Sequence, residues 1–248
     1  MDFANYIESK QGTHPVVLSC PHGGFLKPRH IEDKTGGFNI PDRGSFLISK
    51  HILNVLSKEN ISIHYLLSKI HRCKIDFNRP PRGSEAFNQD HPSKDLANQI
   101  HDLYHRRLMD LVESCILEYG KCLFIDFHGF TKPHDDYPDI IIGNLFGNTL
   151  DIYTEEEDEE DNQIDEEYYW GYSELINELK QHFHLDDGLA ITQYNIAYSG
   201  GYIIYQFYQK AYVNAIQLEI SDKIREDLSL LREFISDITS AIKNCLLE

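Results

Sequence analysis

Apolar and polar positions follow two rhythms along this chain. Pro15 to Cys20 is a strand-like apolar run, and a Gly/Pro-rich loop follows it through Pro41. From Ser45 to Ser57 the rhythm lengthens. Phe46, Leu47, Ile48, Ile52, Leu53, Val55 and Leu56 make a broad apolar face near the 3.6-residue period, which predicts a helix. Ile61 to Leu67 and Lys69 to Phe77, rich in Ile and Tyr, predict two strands; Pro80-Pro81-Arg82-Gly83-Ser84 stops the second. Ser93 to Glu118 is the longest helical stretch, with Leu96, Ile100, Leu103, Leu111, Cys115 and Ile116 as its apolar series. Ser93 is placed to cap its start, and Gly120 to end it. Further strands are predicted at Cys122 to Phe127, Asp139 to Ile142, Leu189 to Gln193 and Val213 to Ile220, and an amphipathic helix at Leu230 to Leu247.

Strands alternating with crossover helices predict one α/β domain over residues 1–248, built on a largely parallel or mixed sheet. An acidic insertion at about 154–167, including the unbroken run Glu155-Glu156-Glu157-Asp158-Glu159-Glu160-Asp161, is expected to be a solvated, disordered surface segment. It lacks the glycine and spacing of a calcium loop.

Composition narrows the function classes. With 41% hydrophobic residues in 248, the chain can bury a sizeable core. A net charge of -17 argues against non-specific nucleic-acid binding, which needs basic surface. It leaves room for an anionic small substrate, because arginines inside a cleft outweigh the global field there. The five cysteines form no CxxC pair and read as small buried hydrophobes. A reducing, cytoplasmic compartment is the expectation, with no signal peptide and no bilayer-spanning stretch.

The candidate chemistry sits at the ends of apolar runs. In an α/β sheet, residues just past the carboxyl ends of strands converge on one crevice. His22 follows Val16 to Cys20, and Gly23-Gly24 after it lets backbone come close. His128 ends the run from Leu123. Asp126 lies two residues before it on the same strand face, able to ligate a metal or to fix the imidazole tautomer. Asp76, Asn78 and Arg79 follow Cys73 to Ile75, with Arg72 on the same face if the strand is regular. Arg79 can grip a carboxylate bidentately; an Arg–Asp pair closing a sheet end is the bland alternative. Gln217 and Glu219 share a face at the end of the last strand, where Glu219 is either a general base or a salt-bridged strand end. Two imidazoles, a carboxylate and a guanidinium in one crevice suit metal-assisted hydrolysis of an amide in an anionic substrate.

An ordered set of blocks carries a resemblance. It comprises Ser19-Cys20-Pro21-His22-Gly23-Gly24, Arg72 through Asp76-Phe77-Asn78-Arg79-Pro80, Tyr104-His105, Asp126-Phe127-His128, Asn195 through Tyr202, and Gln217-Leu218-Glu219-Ile220. Together they resemble the N-formylglutamate amidohydrolase (deformylase) family, related to the zinc carboxypeptidase and aspartoacylase group. The resemblance implies a phosphorylase/hydrolase-like fold, with a mixed central sheet flanked by helices, and one zinc ion per chain. His22 and His128 would be metal ligands, Glu219 the general base and Arg72 the oxyanion stabiliser. Asn78 and Arg79 would hold the substrate carboxylate. Asn195, Tyr198, Gly200 and Gly201 would line the substrate pocket, and His105 would line it or stand behind it.

The related peptidases place a glutamate three residues after the first histidine, where this chain has Phe25. Asp42 is therefore the candidate third ligand, with helix capping as its alternative. Better-known members carry serine after the strand-end histidine, where this chain has Gly129. The implied substrate is N-formylglutamate or another N-acyl amino acid. A zinc carboxypeptidase acting on peptide C-termini, or a catalytically inactive ligand-binding relative, is the alternative.

Overall fold

The computed structural model describes residues 5–154 and 168–247. In chain order the elements are β1 (Ile7–Lys10), β2 (His14–Cys20), α1 (Ser45–Lys58), β3 (Ile63–Ser68), α2 (Lys94–Tyr119), β4 (Cys122–Phe130) and β5 (Ile140–Gly143). Then come β6 (Tyr153–Thr154), β7 (Tyr168–Tyr169), α3 (Tyr172–Leu179), β8 (Leu185–Asp186), α4 (Tyr202–Tyr205), β9 (Val213–Ser221), α5 (Asp222–Glu226) and α6 (Leu228–Cys245). Seven strands form a mixed sheet in the order β1-β3-β2-β4-β9-β5-β8. The four neighbours β3, β2, β4 and β9 are parallel, while β1 and β5 run antiparallel to β3 and β9.

Strand alternation divides the core in two. Val16, Leu18 and Cys20, Leu123, Ile125 and Phe127, and Ile216, Leu218 and Ile220 face one side, packed with α1, α3 and α6. Val17, Phe124 and Ala215 face the other, packed with α2 and α4. Along this second face the strands change character toward their carboxyl ends. Val17 gives way to Ser19, Phe124 to Asp126 and His128, and Ala215 to Gln217 and Glu219. Register aligns the change: Ser19 pairs with Asp126, Asp126 with Gln217, and His128 with Glu219. The chain leaves β2 for β3 on one side and returns to β4 on the other, so the strand order reverses at β2. A crevice at such a reversal is the usual ligand site of an α/β sheet.

Two predicted strands are not strands. Lys69 to Phe77 is a buried loop. Ser68 Oγ accepts from the Ile70 N–H at 3.1 Å and donates to the Ile70 carbonyl at 3.2 Å, which turns the chain just past β3. Only Ile70 bridges a neighbour, Leu26. The backbone is met by other loops, Lys34 N–H to Cys73 O at 2.7 Å and Asp76 N–H to Ala86 O at 2.7 Å. Its apolar residues signalled burial, and burial alone does not make a strand. Leu189 to Gln193 is a loop with Leu189 and Ile191 exposed. Asp186 draws it into a turn by accepting from Thr192 Oγ1 at 2.5 Å and Asn195 Nδ2 at 2.9 Å.

Gly120 ends α2 with φ of 74°, and Ser93 stands at its N-cap position, although its Oγ makes no bond to α2 and instead accepts from the Glu32 N–H at 3.2 Å. The edge strand β1, with Ile7 as its one buried apolar residue, gave no signal, and the eight-residue α3 was missed although Tyr172, Leu175, Ile176 and Leu179 follow the helical period. The five cysteines are free and buried. No described helix is long and apolar enough to cross a membrane. Apart from Thr154, the acidic insertion expected at 154–167 lies outside the described residues.

One buried side chain ties down both flanks of that segment. Asn214 Oδ1 accepts from the N–H groups of Asp151 and Ile152 at 2.7 and 2.9 Å, and its Nδ2 donates to the carbonyls of Ile152 and Trp170 at 2.9 and 2.8 Å. Asn214→Ala strands these groups and is expected to cost about 2–4 kcal/mol, read as a lower denaturant midpoint at unchanged slope. A loss below about 0.5 kcal/mol would show that the four bonds contribute no net stability.

Candidate active site and metal centre

The imidazoles of His22 and His128, 106 positions apart in the numbering of the chain, stand with ring centroids 4.7 Å apart and planes at 77°. His22 arrives two residues past β2, and His128 near the end of β4. Asp42 comes from the loop before α1. Its Oδ2 lies 3.3 Å from His128 Nδ1 and 3.6 Å from His22 Nδ1, and accepts from the Gly129 N–H at 3.2 Å. Asp42 does not cap α1, whose N-cap residue is Gly44.

The tautomers follow from the partners. His22 Nε2 faces Asp76 Oδ1 at 2.7 Å, and His128 Nε2 faces Asp126 Oδ2 at 2.8 Å. An ionised carboxylate only accepts, so each Nε2 carries the proton. In the neutral rings both Nδ1 lone pairs then point toward Asp42. His22 Nδ1 is buried and has no hydrogen-bond partner. His22, Asp42 and His128 together form a group able to hold a metal ion.

The surrounding charges suit a divalent cation. Asp42, Asp76, Asp126 and Glu219 are all buried. Against these four carboxylates stand Arg72, which reaches Asp76 at 2.9 Å and Asp42 at 3.4 Å, and buried Lys34, 3.7 Å from Asp76. With neutral imidazoles and ionised acids, two negative charges remain uncompensated. Two histidines and a carboxylate, each imidazole backed by a second carboxylate, fit a zinc-type ion.

Protonation reflects the same crowding. Burial by itself would lower the His128 pKa, but Asp126, Asp42 and Glu219 outweigh it and hold it well above the ordinary imidazole range. Burial would raise Asp42, yet the neighbouring His128 and His22 imidazoles hold it far below the usual carboxylate range. A cation at Nδ1 must displace the second imidazole proton, so metal affinity rises with pH.

Glu219 is placed by Gln217, whose Nε2 donates to Glu219 Oε1 at 2.8 Å. Gln217 Oε1 accepts from Gly201 N at 2.9 Å and Asn78 Nδ2 at 3.2 Å. Asn78 Oδ1 accepts from the Ile203 N–H at 2.9 Å, which ties the Arg72–Arg79 loop to α4. Gly201 is needed here, since a Cβ would lie 2.1 Å from Asn78 Nδ2. Burial raises the Glu219 pKa from 4.5 to about 7, partly opposed by His128.

A cavity of about 780 Å³ joins these groups. Of the residues singled out in the sequence, His22, Asp42, Arg72, Asn78, Arg79 and His128 line it. So do Tyr198, Gly200, Gly201 and Glu219. Two expected pocket residues do not. His105 is a brace between α2 and the Phe77 loop. Its Nε2 donates to Phe77 O at 2.9 Å, its Nδ1 accepts from Gln206 at 2.9 Å, and burial followed by His101 pushes its pKa to about 3. Asn195 is buried under its own loop, bonded to Asp186 and the Ala190 carbonyl. Arg72 and Asp76 meet across a turn, four residues apart, and not along a strand face. Gly23 gives its space to Phe46 N of α1 and not to a ligand.

Three roles escaped the sequence reading, which named Asp76 and Ser19 without them and did not name Lys34. Asp76 orients His22, Ser19 Oγ donates to Asp126, and Lys34 backs Asp76. Only the Ser19 pairing had a signal, its place one strand over from Asp126 in an alternating register.

Fold and site together define an α/β protein with a buried His–Asp–His group at the carboxyl end of a mixed sheet. The chain belongs to the N-formylglutamate amidohydrolase family, which residues 14–224 match. Its fold is similar to that of N-formylglutamate amidohydrolase from Ralstonia eutropha, at 16% identity over 97% of each chain with a TM-score of 0.65. It is also similar to a gene product of Agrobacterium tumefaciens, at 11% identity over 98% of this chain and 94% of the other with a TM-score of 0.66. No curated protein matches it significantly.

The raised Glu219 pKa makes a stability prediction for metal-free protein. A carboxyl whose folded pKa exceeds its unfolded value loses stability as pH rises through the folded value. Under chelator, Glu219→Gln is expected to match the wild type below pH 4.5 and to gain on it as pH rises to about 7. Above that the gain levels off at up to about 3 kcal/mol. A difference independent of pH in denaturant titrations would show that Glu219 does not titrate in this range.

Proposed function

We propose that this protein is a metal-dependent amidohydrolase that cleaves the amide of a small carboxylate-bearing substrate, N-formylglutamate or another N-acyl amino acid. The carrying observation is the convergence of two carboxylate-anchored imidazoles and Asp42 beside a buried, unpaired-by-cation Glu219 in one cavity. His22, Asp42 and His128 would hold one zinc ion, which when bound supplies Lewis acidity and a lowered water pKa.

The remaining work belongs to the chain. Glu219, with a pKa near 7, takes a proton from the attacking water and returns it to the leaving amine. Water adds across the amide, so the products are the acyl carboxylic acid and the free amino acid. Arg72 uses Nε and Nη1 on Asp76 and Asp42 and keeps Nη2 for the developing oxyanion. Arg79 lies at the rim, with Nη1 on the Asn78 carbonyl and Glu85 3.6 Å from Nε, and its fork offers the substrate carboxylate a bidentate partner. Asn78 places that arginine and keeps one Nδ2 hydrogen for the ligand. Burial, then Glu219, raises the Tyr198 phenol to about 12, so it stays a protonated donor.

Hydrolysis of N-formyl amino acids and short peptides, with and without chelator and added zinc, tests the reading. Chelator-sensitive release of formate from N-formylglutamate is expected. Preference for peptides would move the assignment to a carboxypeptidase, and absence of both activities in metal-loaded protein would sink it. Glu219→Gln should keep its metal and lose about 10²–10⁴-fold in kcat. Asp76→Ala should weaken zinc binding about 10- to 100-fold in a competition titration, because His22 loses the group that orients it.

A further inference from the structure

The cavity at the candidate site is larger than the proposed chemistry needs. At about 780 Å³ it falls in the range that takes drug-sized ligands, whereas N-formylglutamate is far smaller. An amide at the His–Asp–His group and a carboxylate on Arg79 use its polar lining and leave the rest open. Phe38, Ile40 and Ile196 line that same cavity. They are 67%, 67% and 63% exposed, so each keeps most of its apolar surface in water. Single exposed apolar residues are ordinary, but three large ones gathered on one cavity mark a binding surface.

Bonded backbone presents these side chains. Phe38 and Ile40 lie on the loop between β2 and α1, where the Gly36 N–H donates to the Ser84 carbonyl and the Asp42 N–H to the His22 carbonyl, both at 3.2 Å. Ile196 lies between β8 and α4. Beside it Asn195 Nδ2 donates to Asp186 Oδ1 at 2.9 Å and to the Ala190 carbonyl at 2.7 Å, and the Tyr198 N–H donates to the Asn195 carbonyl at 2.9 Å. Their exposure is thus built into the two loops. Ile40 stands two residues before Asp42 and Ile196 two before Tyr198, and both of those residues line the cavity as well. The apolar surface is therefore continuous with the catalytic group, and the molecule placed to cover it is the remainder of the substrate whose amide lies at Asp42. Covering it releases the water it orders.

We propose that Phe38, Ile40 and Ile196 form an apolar subsite beside the catalytic group, so that the preferred substrate is an N-acyl amino acid bearing a large apolar substituent. This rests on the amidohydrolase reading for the scissile amide, while the apolar rim stands on position and exposure alone. The substituent is carried either on the acyl carbonyl or on the amino acid; the recognising chemistry is the same.

The test compares two matched pairs on metal-loaded enzyme. N-hexanoylglutamate against N-acetylglutamate varies the acyl side, and N-formylphenylalanine against N-formylalanine varies the amino-acid side. In one pair the larger substrate is expected to win by about 10- to 100-fold in kcat/KM, mostly through KM, and that pair identifies the side. Phe38→Ser and Ile196→Ser, on separate loops and at exposed positions, are read by the ratio within the favoured pair. A fall of about 3-fold or more in either variant supports the subsite. Ratios near one in both pairs would overturn the proposal and leave the rim as a surface for another macromolecule. A wild-type preference that neither variant reduces would overturn it too. If the wild type hydrolyses none of the four, the amidohydrolase reading fails separately. Calorimetric titration with the same pairs then decides: tighter binding of a larger member, weakened in either variant, supports the subsite, and equal binding within both pairs rejects it.

Discussion

Two carboxylate–imidazole bonds hold the candidate site in a usable state. Asp76 and Asp126 each accept a hydrogen bond from the Nε2–H of one histidine, which aims both Nδ1 atoms at Asp42. Each carboxylate is itself restrained. Asp76 accepts from Arg72 and from the Asn78 N–H, with Lys34 beside it, and Asp126 accepts from Ser19. An imidazole without such an anchor can rotate or change tautomer, and then the Nδ1 lone pairs no longer meet.

This arrangement opposes folding on its own. Removing an ion from water costs several kcal/mol even after relaxation, and the site buries four carboxylates with too few cations. The apolar half of the same sheet compensates. Val17, Phe124 and Ala215 are fully buried on the face that carries Ser19, Asp126, His128, Gln217 and Glu219 farther along. The strands thus divide lengthwise into a part that stabilises and a part that carries the candidate site, and a local conflict with burial rules marks the second part.

A second set of bonds relates the substrate side to the catalytic side. Gln217 contacts Glu219, Asn78 and Gly201 at once, so one amide sets the spacing between the candidate base, the loop bearing Arg79 and the start of α4. Its position two residues before Glu219 on a regular strand makes this possible, because both side chains leave the same face.

Local sequence determined much of this. Continuous apolar runs at β2, β4 and β9, and the long periodic stretch of α2 ended by Gly120, were legible because a strand buried on both faces reads as unbroken apolar sequence and a helix repeats every 3.6 residues. His22, His128, Gln217 and Glu219 were legible as polar residues where apolar runs end. The loop bearing Arg72 to Arg79 misled, since its buried apolar residues imitate a strand while its backbone pairs with other loops. Asn195 was misplaced for a related reason, and His105 was left between two places: residue type shows that a side chain seeks hydrogen bonds, not which partner supplies them. The carboxylate behind each imidazole and the charge left over at the site were decided by tertiary structure alone. Each depends on distances between segments far apart in the chain, and no local periodicity encodes such a distance.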